Sequence, residues 1–181
     1  MSFPTGTYEL GPDDGTLSVR TGRKGAAAKA GHDLLIHVTA WRGTLRLADD
    51  PAHTSVELEA DATSLRVREG TGGMQSLGDD DKANIQTTID GDVLKRQAIA
   101  FRSTRVTGAD GRLSVEGELT LAGTTRPLAF DLAVSDDGRL TGTAVVTQSQ
   151  WGMKPYSALF GALKVADDVR VEIDAALPQS A

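Results

Sequence analysis

The stretch Leu113–Val134, LSVEGELTLAGTTRPLAFDLAV, decides how the chain reads. Leu113, Val115, Gly117, Leu119 and Leu121 share one parity, with Ser114, Glu116, Glu118 and Thr120 on the other. Beyond a tight polar turn, Leu128, Phe130, Leu132 and Val134 repeat the apolar parity. Successive side chains of a strand point to opposite faces, so this is a hairpin with one apolar and one polar face.

The alternation recurs on both sides of the hairpin. Thr7–Leu10 and Thr16–Arg23 read as strands separated by the turn residues Gly11, Pro12, Asp13, Asp14 and Gly15. Ala26–Ala30 is expected to be extended, because Gly22, Gly25 and Gly31 crowd it. His32–Leu47 is one long run whose apolar parity switches, from Leu34, Ile36 and Val38 to Trp41, Leu45 and Leu47. Such a switch predicts a bulge or bend near Val38–Trp41. Ser55–Ala62, Ala98–Thr107, Leu140–Thr147 and Val169–Ala175 alternate in the same way, while Arg66–Gly78 reads as a glycine-rich loop and Gln148–Phe160 as irregular. The best helix is Asp79–Leu94, where Ile85, Ile89 and Val93 recur at helical spacing behind an acidic cap.

About eight short strands plus one helix, with tight connections after residue 97, predict an antiparallel barrel or sandwich. The 181 residues suffice for one buried core, and the expectation is a single domain over residues 1–181. There is no cysteine, which excludes disulfides and thiolate chemistry. The net charge of −6 lacks the electrostatic footprint of a nucleic-acid binder. No run is apolar enough for a transmembrane segment, and the start MSFPTGTYELGPDDG lacks the features of a secretory signal, so a cytoplasmic location is expected.

Motifs for catalysis are absent. His32, His37 and His53 have no metal-ligand spacing, Asp79–Asp81 suits a helix cap better than calcium, and no GxSxG or GxxxxGK[ST] occurs. No catalytic residue, metal or cofactor is therefore assigned. The apolar face itself has two readings: a barrel packed with its own side chains, or a lumen with room for an apolar ligand. Small inward residues such as Gly117, Gly142, Ala144, Ala60 and Ala175 would suit either.

Several segments resemble the YceI-like family. They are GTYEL at Gly6–Leu10, WRGTLRL at Trp41–Leu47, IAFRSTRV at Ile99–Val106, LTLAGTTRPLAFDL at Leu119–Leu132 and the close Trp151–Leu177. They run in order along nearly the whole chain. The resemblance implies an eight-stranded, lipocalin-like barrel with one helix packed against it. It implies binding of a polyisoprenoid, quinone or other amphiphilic lipid in the lumen. On that reading Leu34, Ile36, Val38, Phe101, Leu119, Leu121, Phe130 and Leu132 line the lumen. Trp41, Trp151, Tyr156 and Phe160 stand at its rim, and Arg126 is a candidate for a head group. The alternatives are a ligand-free structural or interaction module, with self-association into a homodimer, and a small barrel enzyme. The family's His-Ser pair after its first proline is replaced here by Asp13-Asp14.

Overall fold

A computed structural model describes residues 4–24, 33–71, 97–109, 111–152, 157–158, 163–165 and 167–178. The helix expected over Asp79–Leu94 and the run Ala26–Ala30 lie outside them. The described residues form fourteen strands and short 3-10 turns, and contain no α-helix. The first seven strands are β1 (Gly6–Leu10), β2 (Gly15–Arg20), β3 (Arg23–Lys24), β4 (Asp33–Val38), β5 (Trp41–Leu47), β6 (Ser55–Ala60) and β7 (Leu65–Thr71). Then come β8 (Ile99–Ala109), β9 (Arg112–Leu121), β10 (Thr124–Val134), β11 (Arg139–Thr147), β12 (Ser157–Ala158), β13 (Leu163–Val165) and β14 (Asp168–Ala176).

Eleven strands build one curled antiparallel sheet in the order β1-β5-β6-β8-β9-β10-β11-β14-β2-β4-β7, and β12-β13-β3 form a small second sheet. The sheet thus has more strand segments than the eight expected, for two physical reasons. The long run through Trp41 is two strands, interrupted at Thr39–Ala40. And β7, expected to be loop because of its glycines, pairs with β4 through one bulge at Leu35/Ile36, Val38 opposite Leu65 and Ile36 opposite Val67.

The interruption explains the parity switch. Thr39 N–H and Oγ1 both donate to Ser64 O, at 3.0 and 2.7 Å, and Ala40 N–H donates to Ser64 Oγ at 3.1 Å. Ser64 belongs to a 3-10 turn capped by Asp61, whose carboxylate accepts from Thr63 N–H. Two outward residues are inserted at the corner, so Val38 and Trp41 both return to the apolar face.

The hairpin at 113–134 forms as its alternation predicts. Its turn is Ala122–Gly123, both at positive φ (49° and 80°), the twist that suits a two-residue hairpin. Cross-strand partners keep the parity in phase: Leu113 faces Leu132, Val115 faces Phe130 and Gly117 faces Leu128. The apolar parity of the strands of the large sheet meets in one cluster, running from Tyr8 and Leu10 through Trp41, Phe101 and Val115 to Leu140 and Val146. Val115 is completely buried at its centre. The opposite face carries exposed ion pairs, among them Arg102–Glu57 and Arg20–Glu172. Such pairs contribute at most about 1 kcal/mol each.

Candidate functional site

The candidate site is the apolar face around which the sheet curls. Ile36, Val38, Phe101, Leu119, Leu121 and Leu132 are buried on it, and Phe130 is half-buried. All seven belong to, or pack against, the same cluster. Leu34 lies on β4 opposite Gly70. The face thus brings seven of the eight expected wall residues into one cluster.

Two of its small residues make room for bulky neighbours. A Cβ on Gly117 would fall 2.6 Å from Phe101 Cζ and 2.8 Å from Ser103 Cα. The bulge between Ser103 and Arg105 brings β8 in that close. A Cβ on Gly142 would fall onto Leu132 Cδ2. Phe101 then packs on Phe130, with ring centroids 5.0 Å apart and planes tilted by 57°.

A different set of residues leaves the face partly open. Ala144 stands opposite Val171, and Val171 opposite Val19, and all three are only half-buried. Val169, Ile173 and Leu128 share that condition. This row was not among the predicted wall residues, although the alternation of Val169, Val171 and Ile173 carries the signal.

The row borders a parting in the sheet. The β10–β11 ladder runs only from Val134–Leu140 to Asp131–Thr143. Past it, Thr124–Phe130 has a partner on β9 alone. Pro127, which has no N–H to give, sits in that stretch, paired on one side only, opposite Glu118. Val145, 54% exposed, lies on the facing part of β11.

The rim aromatics are placed differently from one another. Tyr156 and Phe160 lie outside the described residues. Trp41 and Trp151 do not stand on an open edge: they are 6% and 2% exposed, inside the core cluster. Trp151 follows β11 in a 3-10 turn over Gln148–Trp151, which packs on β10. Its Nε1–H donates to Leu119 O on β9 at 2.8 Å, so it spans the strand whose second ladder is missing. Trp41 Nε1 is, among the described residues, a buried donor with no acceptor. Leaving such a donor unpaired costs about 1–3 kcal/mol. Arg126, opposite Leu119, shares the parity of the wall residues but is exposed at the end of β10.

Charged groups do not converge on this face. Among the described residues no three His, Cys, Asp or Glu side chains come together as metal ligands. His37 is on the other face, opposite Ser18, and His53 sits in an exposed turn 3.8 Å from Asp50. A large open cavity of about 1590 Å³ is lined by Arg20, His37, Arg105, Glu116, Asp131 and Glu172 of the polar face, and also by Phe130, Leu132 and Ile173. Its cations and anions pair with each other, as in Arg105–Glu116 at 4.0 Å, so it offers no field of one sign.

Comparison with known proteins agrees with this geometry. Residues 8–177 match the sequence profile of the YceI-like domain. No curated protein sequence matches the chain. Among solved structures, BcnA of Burkholderia cenocepacia superposes with a TM-score of 0.62 at 16% identity, over 87% of this chain and 94% of that one. A YceI protein of Campylobacter jejuni superposes with a TM-score of 0.54 at 13% identity, over 80% and 85%. At these identities the likeness is one of fold.

Proposed function

The chain belongs to the YceI-like family, and from that premise we propose that it binds a long apolar chain along the inner face of its curled sheet. The ligand class is a polyisoprenoid, a quinone or another amphiphilic lipid. The observation that carries the reading is the half-buried row Ala144, Val171 and Val19, with Leu128 and Phe130 beside it. Apolar side chains left partly open on an inward face, beside a parting in the wall, suit an apolar guest.

Strand pairing supports a closed wall around that guest. β1 pairs with β5 and β2 with β4, while β5 pairs with β6 and β4 with β7. Taken as bent staves, β1 with β2, β4 with β5 and β6 with β7 reduce eleven segments to a circuit of eight, closed by β14 on β2. Eight strands give a barrel whose interior either fills with side chains or holds one small ligand.

Binding on this reading is not catalysis. The face offers hydrophobic burial, worth up to about 0.8 kcal/mol per CH₂ before ordering costs. No acid, base or nucleophile sits among its named wall residues, and no enzymatic step is assigned. A second reading is favoured by Gly117 and Gly142, whose missing side chains are replaced by Phe101 and Leu132. It is a self-filled barrel that carries nothing and acts as a structural or interaction module. Native mass spectrometry of the purified protein separates the two. The lipid reading expects a co-purifying apolar chain released by organic extraction. An empty protein that also refuses added prenyl lipids supports the self-filled module.

A further inference from the structure

We propose that Trp41 Nε1–H is the polar anchor of the inner face, and that it selects a guest bearing a neutral acceptor oxygen. This deepens the lipid-binding reading and rests on it. Trp41 opens β5 opposite Ala60, among apolar side chains, and is 6% exposed. Among the described residues its Nε1 has no acceptor, whereas the other indole, that of Trp151, is satisfied by Leu119 O at 2.8 Å.

Buried indole N–H groups in proteins normally find a partner, so a lone unsatisfied one marks a place where a partner is missing. A donor selects an acceptor. The site also selects against charge, because an anion taken into an apolar interior needs a paired cation. Among the described residues no His, Arg or Lys is buried, the buried polar ones being Ser18, Thr54, Ser64 and Gln148. A ketone, quinone carbonyl or ether fits, and a pure hydrocarbon leaves the donor unpaired. Chain burial then supplies affinity, and this one hydrogen bond sets which end of the guest lies at Trp41.

The experiment uses the full chain labelled with ¹⁵N and two probes, geranylgeranylacetone and the hydrocarbon of matched length that lacks its carbonyl. Trp41→Phe assigns the Trp41 indole resonance, and the Trp151 indole is the internal control. The expected result is a downfield shift of the Trp41 indole proton with the ketone alone. The ketone should also bind roughly five- to tenfold more tightly than the hydrocarbon, a preference that Trp41→Phe abolishes. Equal affinities with an unmoved Trp41 indole would overturn the anchor while leaving the lumen intact. Binding of neither probe would instead overturn the lipid-binding reading beneath it. The empty Trp41→Phe protein is expected to stay folded, and its circular dichroism and melting curve check this.

Discussion

Trp151 on the turn after β11 and Leu119 on β9 are joined by one hydrogen bond of 2.8 Å, although β10 lies between their strands. The bond stitches the sheet where the β10–β11 ladder has ended at Asp131–Thr143. Trp151→Phe keeps an aromatic ring in the core while removing the donor and the smaller part of the indole. It is expected to lower stability by about 1–3 kcal/mol, because the buried hydrogen bond to Leu119 O and part of the ring packing are lost together. Urea unfolding followed by circular dichroism measures this. A change below a few tenths of a kcal/mol would mean the bond does not hold the parting closed.

Gly117 is fixed by the approach of β8. Gly117→Ala is expected to cost about 1–3 kcal/mol, as overpacking against Phe101 Cζ and the β8 backbone does in dense cores. Combining it with Phe101→Leu should recover part of the loss, because the two residues share one space. A double mutant whose loss equals the sum of the singles would contradict that packing.

The turn Ala122–Gly123 asks a non-glycine residue to sit at φ 49°. Asparagine tolerates that region better than alanine, so Ala122→Asn is expected to raise stability by about 0.5–1 kcal/mol, seen as a higher melting temperature.

Acid sensitivity follows from the turns. The Asp61 carboxyl is held below the ordinary carboxylate range, chiefly by the hydroxyl of Thr63 at 2.6 Å, and that of Asp137 chiefly by Ser135. A carboxyl with a lower pKa when folded stabilises the protein above its unfolded pKa, and loses that contribution as pH falls through the folded value. The urea midpoint should therefore fall below the usual carboxylate range. Asp61→Asn keeps an acceptor for the turn without titrating, so it should flatten part of that acid limb. An unchanged limb would contradict the assignment.

Much of the fold was legible in the alternation of Leu113–Val134, Val169–Ala175 and Ser55–Ala62, because a one-sided sheet writes its burial into parity. The corner at Thr39–Ala40 was legible as a parity switch, but not its cause, since Ser64 holds it from distant sequence. β7 was hidden because Gly70 weakens a local strand signal that pairing with β4 overrides. The wall residues Phe101, Leu119 and Leu132 were readable as inward. Which inward residues stay half-open was not readable, because openness depends on where the β10–β11 ladder stops. The burial of Trp41 and Trp151 was missed for a similar reason: an indole that reads as a rim anchor in sequence reads as core once its neighbours close over it.

Ala144 lies in the half-open row opposite Val171. Ala144→Phe is expected to fill that space and remove stabilisation by added prenyl lipids, while the circular dichroism spectrum stays that of the parent. Retained stabilisation would place the guest elsewhere.

The most direct measurement is the melting temperature of the delipidated protein against prenyl alcohols of increasing length at fixed concentration. A guest that binds only the folded state raises stability as its affinity rises. Each CH₂ buried adds up to a roughly fourfold gain in affinity. The expected result is a melting temperature that climbs with chain length and then levels off when the inner face is full. A melting temperature that stays flat across the series would contradict carriage of an apolar chain.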